Sequence, residues 1–182
     1  MPRDDTLLHP GDPAPDFWLP AADGTLYSPA QQWQQGRRVA LFFFRGTWCG
    51  TCQRQMALLR DHYPALTAQG WAVIGITVQA PQPVAEYARE RHIPFPVLID
   101  ADRAVSRQYG VYTSFSMQGL EAPTINRPHN STFLISSAGI IRLVHVSTRS
   151  TDVLDEPGLL AALAAVPGQS SVVSRQSIAD SR

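Results

Sequence analysis

The chain of 182 residues contains two cysteines, Cys49 and Cys52, and only two residues separate them. They follow the apolar run VALFFF and precede a segment whose apolar residues have helical spacing. A C-x-x-C pair at the start of a helix brings two sulfurs within bonding reach. The unpaired backbone N–H groups and the helix dipole favour the negative charge of a thiolate there. The spacing therefore predicts a redox-active pair.

The two sulfurs are expected to have different roles. A thiol at a helix N-terminus has a lowered pKa and is a better nucleophile, so Cys49 is predicted to be the more exposed and more activated cysteine. Cys52, one turn into the helix, is predicted to resolve its adducts into an intramolecular disulfide. Arg45, Trp48 and Thr51 are the candidates for tuning the thiolate, Arg45 through its charge and Trp48 by covering one side of it.

Other interpretations of the pair were weighed. Free cysteines bury well and would serve as inert core residues. A zinc site needs four ligands, so His62 or His129 would have to complete one around only two thiolates. Neither a metal nor a cofactor is predicted, and the chain has no glycine-rich nucleotide-binding pattern.

Charge and hydropathy exclude several function classes. Fifteen basic and fifteen acidic side chains cancel, and no basic run offers a surface for nucleic acid. The longest apolar runs are far shorter than the roughly 20 residues that cross a membrane. The N-terminal stretch MPRDDTLLHPGDPAP carries charges and prolines where a secretory signal needs an apolar segment. We therefore expect a cytoplasmic protein without a membrane or nucleic-acid partner.

The elements that must position the cysteines follow from hydrophobic periodicity and turn residues. An N-terminal β-hairpin is predicted over 16–28, and a second hairpin over 131–147. Buried strands are predicted at 39–44, 71–78 and 95–99, and helices at 52–69, 83–92, 102–109 and 159–166. Alternating strands and helices indicate an α/β fold with a mainly parallel central sheet, flanked by helices, that gains an antiparallel edge from the late hairpin.

Two segments fall outside this pattern. Residues 113–130 are predicted to form a long irregular loop that frames the substrate cleft. Residues 167–182 are polar and rich in serine, so a disordered tail is predicted after a single domain at 1–166.

Four stretches together resemble the peroxiredoxin-like alkyl hydroperoxide reductase and thiol-specific antioxidant (AhpC/TSA) family. They are PGDPAPDFWLPAADG, the strand leading to FRGTWCGTC, YARERHIPFPVLIDADRAVSRQYGV, and TFLISSAGIIRLVHV. The likeness covers roughly residues 8 to 166 and implies a thioredoxin fold with an N-terminal hairpin extension.

The resemblance implies thiol-dependent reduction of a hydroperoxide. A cysteine thiolate would attack the O–O bond, become a sulfenic acid and condense with the second thiol to a disulfide. A thioredoxin-type protein or a small thiol would then restore the pair. The oligomeric state stays open.

The family's usual pattern before the attacking cysteine, P-x-x-x-T-x-x-C, is absent here. Counting back from Cys52 gives Cys49 and Arg45 at the threonine and proline places, and counting back from Cys49 gives Gly46 and Phe42. Which cysteine attacks first is therefore open.

Two other functions stay as alternatives: a thioredoxin-like reductase of protein disulfides, and a redox-sensing or metal-carrying module that adds His129 or His145 to the pair.

Overall fold

A computed structural model describes residues 7–115, 125–128, 130–147 and 153–168. Its strands are β1 (Leu19–Pro20), β2 (Leu26–Tyr27), β3 (Arg38–Phe43), β4 (Trp71–Thr77), β5 (Val97–Ile99), β6 (Tyr112–Phe115), β7 (Ile125–Pro128), β8 (Ser131–Ile135) and β9 (Ile141–Val146). Its helices are α1 (Pro29–Gln34), α2 (Gly50–Ala68), α3 (Pro81–Glu90), α4 (Ala104–Gln108) and α5 (Glu156–Ala165).

Five strands form a mixed central sheet in the order β5-β4-β3-β8-β9. Strand β3 runs parallel to β4, β4 runs parallel to β5, and β8 is antiparallel to both β3 and β9. Every residue of β3 and β4 is buried, as expected for parallel strands covered on both faces. The predicted mixed sheet with an antiparallel edge is confirmed.

Side chains alternate between the two faces of the sheet and build two cores. Phe42 of β3 points into the core that contains Met56 of α2 and Leu159 of α5. Phe43 points into the other core, where it packs against Tyr109 with ring centroids 5.4 Å apart. The helix that carries the cysteine pair is thus held against the sheet by the first core.

The predicted N-terminal hairpin is present as the antiparallel pair β1–β2. Ala21 forms an antiparallel bridge to Leu98, and the Ala22 N–H donates to the Val97 carbonyl at 3.1 Å. The hairpin therefore extends the edge of the sheet at β5 and covers unpaired backbone groups of that strand.

The structure differs from the sequence-based predictions in two places. Residues 113–130 are not an irregular loop throughout, because β6 and β7 pair antiparallel at its two ends. Helix α1 was not predicted; Ser28 caps it, with the Ala30 N–H donating to the Ser28 hydroxyl at 3.1 Å.

The predicted disordered tail beyond 168, and the loop segment 116–124, lie outside the described residues. No helix in the described ranges is long and apolar enough to span a membrane.

A buried arginine ties two helix ends to the start of β3. The Arg38 guanidinium lies 4.4 Å from the Trp71 ring centroid and donates to the Gln69 and Val166 carbonyls, just past α2 and α5. Carbonyls at a helix C-terminus lack intrahelical partners, so the cation satisfies them. The C-terminal ends of the two helices are fixed by the same side chain.

Asp100 is a fully buried carboxylate that organises the turn after β5. It accepts hydrogen bonds from the Val105 N–H at 3.2 Å, the Ser106 N–H at 2.8 Å and the Ser106 hydroxyl at 2.6 Å. Three donors at the N-terminus of α4 thus supply its oxygens with hydrogen bonds in place of water.

We predict that Asp100→Ala destabilises the protein by about 3 kcal/mol, because three buried donors lose their acceptor at once. The matched control is Asp102→Ala, which removes one exposed hydrogen bond to the Ala104 N–H and should cost less than about 1 kcal/mol. Urea denaturation followed by circular dichroism measures both. Equal costs for the two variants would contradict the role given to Asp100.

Candidate active site

The cysteine pair lies where β3 ends and α2 begins. Cys49 is the N-cap residue of α2 and makes no side-chain capping bond, while its carbonyl accepts from the Gln53 N–H at 2.9 Å. The Cys49 sulfur is thus adjacent to the first turn, where backbone N–H groups have no intrahelical partner. Both cysteines are free thiols.

Arg45 contacts the first sulfur directly. Its Nη2 lies 3.4 Å from the Cys49 Sγ, and only 4% of Cys49 is exposed. Burial on its own raises the pKa of the Cys49 thiol. When Cys49 is ionised, however, hydrogen bonds from Cys52 and Arg45, together with the Arg45 charge, stabilise it and lower the pKa below its usual value. Cys49 is therefore the cysteine that ionises first.

Cys52 has the opposite character. It is 0% exposed, and its thiol donates to the Asn130 Oδ1 at 3.3 Å. Burial, the hydrogen bond with Cys49 and the negative charge of Cys49 raise its pKa to about 11. At neutral pH Cys52 is therefore a neutral thiol.

Trp48 forms the exposed side of the site. Its side chain is 51% exposed, and the Arg45 guanidinium lies 5.3 Å from its ring centroid. Gly46 makes this packing possible, since its φ of +154° disfavours other residues and a Cβ there would come within 2.3 Å of the Trp48 indole nitrogen. The indole therefore covers the arginine that faces the Cys49 sulfur.

Two glutamines hold the loop between β3 and α2. The Thr47 N–H donates to the Gln79 Oε1 at 2.8 Å, and the Gln53 Nε2 donates to the Thr47 carbonyl at 2.7 Å. Gln79 follows β4, so the neighbouring strand of the sheet fixes the loop that carries Arg45 and Trp48.

The remaining predicted residue, Thr51, is placed differently from the others. It is buried, and its hydroxyl accepts from the Arg54 Nη2 at 3.3 Å. Within the described ranges, no hydrogen bond joins this hydroxyl to either sulfur. The structure thus brings Arg45, Trp48, Cys49 and Cys52 together, while Thr51 faces another arginine.

Sequence reasoning did not identify Asn130 or Gln79 as site residues. Asn130 is 78 positions from Cys52, and Gln79 is 32 positions from Thr47. Each stands at an end of a buried strand, which is the one local signal that could have found them.

For a metal centre, the described ranges offer no group of three His, Cys, Asp or Glu side chains that could hold an ion. Of the histidines considered as ligands, His62 contacts Glu156 at 2.9 Å, and His129 lies outside the described residues.

Comparison with known proteins places this geometry in a family. The model of the AhpC/TSA family matches residues 10–144. Peroxiredoxin Bcp of Escherichia coli K12 is 33% identical over 137 residues, which are 75% of this chain and 85% of that protein. A Mycobacterium tuberculosis relative named as a peroxiredoxin, Rv2521, is 34% identical over 146 residues, 80% of this chain and 90% of its own length.

A solved structure agrees with these relatives. Peroxidoxin BcpB of Mycobacterium tuberculosis superposes with a TM-score of 0.71 at 25% identity, covering 86% of this chain and 95% of that one. The thioredoxin fold expected from the sequence is thereby confirmed. The chain belongs to the AhpC/TSA family, the family of the peroxiredoxins.

Proposed function

We propose that this peroxiredoxin reduces hydroperoxides with Cys49 as the attacking thiolate and Cys52 as the thiol that closes an intramolecular disulfide. The observation that carries the assignment is the contact between the Arg45 Nη2 and the Cys49 Sγ, at 3.4 Å. Arg45 also interacts with Cys52, but burial has the largest effect on that thiol and raises its pKa, and the Cys52 S–H donates a hydrogen bond to the neutral Asn130 carboxamide. Thiol-dependent peroxide reduction is the activity of the family.

The first step oxidises Cys49 by two electrons. The thiolate sulfur attacks the terminal oxygen of R–O–OH, the O–O bond breaks, and the leaving alkoxide takes up a proton and departs as ROH. Cys49 is left as a sulfenic acid. A thiolate is required, because the neutral thiol is a far weaker nucleophile.

Arg45 is suited to assist this step at more than one atom. Its Nη2 contacts the sulfur, while its Nε is buried and has no hydrogen-bond partner within the described ranges. A buried N–H without a partner costs free energy, and an oxygen of the bound peroxide would satisfy it. Arg45 thereby offers a charged donor where the family's usual threonine pattern is missing.

The second step forms the disulfide. The Cys52 sulfur attacks the sulfur of the sulfenic acid, the S–O bond breaks, and the hydroxide leaves as water with the proton of the Cys52 thiol. A thioredoxin-type protein or a small thiol then supplies two electrons by thiol-disulfide exchange. Because the cycle needs free thiols, we place the protein in the cytoplasm, where thiols are kept reduced.

Reduction of protein disulfides is the second candidate function. A C-x-x-C pair with a lowered pKa on its first cysteine also suits that chemistry. The 4% exposure of Cys49 favours the peroxide, whose oxygen is small enough to reach a nearly buried sulfur. A disulfide in a folded partner would need the Trp48 side to open. If the protein reduced insulin disulfides faster than peroxide, reduction of protein disulfides would become the first candidate function and peroxide reduction the second.

The first prediction concerns the Cys49 thiolate. Arg45→Met should raise the pKa of Cys49, because the cation beside the sulfur is lost. Less thiolate then exists at pH 7, so alkylation of Cys49 by iodoacetamide should slow about tenfold, and its pH midpoint should move upward. Mass spectrometry of the alkylated peptide gives the rate.

The matched control for this experiment is Arg54→Met, which removes a guanidinium that contacts Thr51 and not a sulfur. Its alkylation profile should equal that of the parent protein. The same shift in both variants would mean that general positive charge, and not the Arg45 contact, sets the pKa.

The second prediction assigns the two cysteines. Stopped-flow tryptophan fluorescence after mixing with hydrogen peroxide or an organic hydroperoxide should show a fast phase in the parent protein. Cys49→Ser should abolish this phase, since the attacking sulfur is gone. Cys52→Ser should keep it and stop at a sulfenic acid, visible by mass spectrometry as one added oxygen. The opposite pattern would make Cys52 the attacking residue.

A further inference from the structure

We infer that Asn130 is a positioning residue for the second step, the formation of the disulfide. Its carboxamide oxygen accepts a hydrogen bond from the Cys52 S–H in the reduced protein. After a half-turn of the carboxamide, its N–H donates a hydrogen bond to the Cys52 thiolate as that thiolate attacks Cys49. This inference rests on the proposed function for the oxidant, and its geometry stands independently of it.

Asn130 is buried, its backbone is fixed at the start of β8, and one end of its carboxamide contacts Cys52. It is 2% exposed, it precedes β8 directly, and its carbonyl accepts from the Ser147 N–H at 2.9 Å. Its Oδ1 accepts from the Cys52 Sγ at 3.3 Å across 78 residues of sequence. The carboxamide is the partner of the second sulfur on the side of the sheet.

The other half of the same carboxamide is unused. The Asn130 Nδ2 is buried and has no hydrogen-bond partner among the residues that the structure describes. A buried amide N–H without an acceptor costs about 1 to 3 kcal/mol, so it stabilises the fold less than an apolar group would. A half-turn about the Cβ–Cγ bond exchanges the oxygen and nitrogen positions and directs this donor at the Cys52 sulfur.

Such a donor is needed only during resolution. In the reduced protein Cys52 is neutral, and an acceptor suits its S–H. To attack the Cys49 sulfur it must give up that proton within a site nearly without water, and the thiolate then needs a donor. A hydrogen bond to an anion is stronger than one to a neutral thiol, so the carboxamide lowers the free energy of the ionised state more.

The other donors to Cys52 come from the loop before α2, where the backbone N–H groups of Arg45 and Gly46 are hydrogen-bonded to its sulfur and lower its pKa. The Asn130 carboxamide would add a donor from the side of β8. Cys49 is on the same helix and becomes the target of attack. The Arg45 side chain contacts the Cys49 sulfur and also interacts with Cys52, and Tyr87 of α3 is near enough for its charge to interact with that of Cys52. On β9, His145 is paired with Thr132, one strand beyond β8.

The test follows the second step without peroxide. One equivalent of DTNB, an aromatic disulfide, reacts with Cys49 and releases one thionitrobenzoate. Cys52 then attacks the Cys49 sulfur, breaks the mixed disulfide and releases the second thionitrobenzoate, while its proton goes to solvent. The two releases are separated in time and followed by absorbance across pH.

We expect Asn130→Leu to leave the first release within about twofold of the parent and to slow the second about tenfold at pH 7. The pH midpoint of the second release should rise, because the thiolate has lost its donor. Asn130→Asp keeps the side-chain shape and can only accept, so it should give the same slowing and the same upward direction. Circular dichroism shows that each variant is folded.

The matched control is Thr132→Val on the same strand. Its hydroxyl is buried and has no hydrogen-bond partner within the described ranges, so its loss should leave both releases unchanged. A second release in both Asn130 variants within twofold of the parent, with an unmoved pH midpoint, would overturn the inference. Equal slowing in Thr132→Val would overturn it too, since disturbance of β8 would then be the cause.

A parallel experiment with hydrogen peroxide separates this inference from the proposed function. Parent protein should form the disulfide, and Asn130→Leu should accumulate the sulfenic acid. If the parent does not react with peroxide but its second thionitrobenzoate release depends on Asn130, the proposed function fails and the inference holds. If the parent reacts with peroxide and Asn130→Leu forms the disulfide as fast as the parent does, only the inference fails.

Discussion

The active site depends on the negative charge of one sulfur in a place that water hardly reaches. Burial alone disfavours a thiolate at either cysteine. Hydrogen bonds from Cys52 and Arg45, together with the Arg45 charge, outweigh this cost at Cys49, whereas hydrogen bonds from the Arg45 and Gly46 backbone offset only part of it at Cys52. At Cys52, burial is the largest cause of the raised pKa, and the charge of an ionised Cys49 raises it further. Two chemically identical side chains three positions apart thus have pKa values shifted in opposite directions, and the proposed two-step reaction uses that difference.

The sheet topology explains why the partners of the two sulfurs come from distant parts of the chain. The C-terminal ends of the parallel strands β3 and β4 lie at the same end of the sheet as the N-terminal start of antiparallel β8. Arg45, Gln79 and Asn130 follow or precede these strands by one or two residues. Each side chain reaches the start of α2 from a rigid strand. The loop of Gly46 to Trp48 can therefore remain irregular while its geometry stays fixed by hydrogen bonds to Gln79 and Gln53.

The geometry also relates the two chemistries that a C-x-x-C pair can perform. Peroxide reduction and disulfide exchange share a thiolate and a resolving thiol, and they differ in the size of the group that must reach the first sulfur. Here Trp48 stacks over Arg45, and Cys49 is almost covered. In the proposed function, steric access to Cys49, more than the electronic state of its sulfur, would distinguish a small oxidant from a large one.

Local patterns in the sequence determined most of the fold. The buried strands, the helix after the cysteines and both hairpins follow from periodicity, because each is stabilised by apolar side chains with regular spacing. Helix α1 was missed, since its six residues PAQQWQ are half glutamine with no clear apolar period, and it is defined by the cap at Ser28. The pairing of β6 with β7 was missed because strand pairing across a long connection leaves no short-range pattern.

Some features of the candidate site could likewise be predicted from the sequence, and others depend on the tertiary structure. The cysteine spacing, its place at a helix start and the nearby Arg45 and Trp48 are local features, and the sequence alone determined them. The contacts of Asn130 with Cys52 and of Gln79 with Thr47 join residues that only the sheet brings together. The unequal pKa values of the two thiols were likewise decided by tertiary structure, because burial and the partners of a sulfur depend on packing and not on spacing.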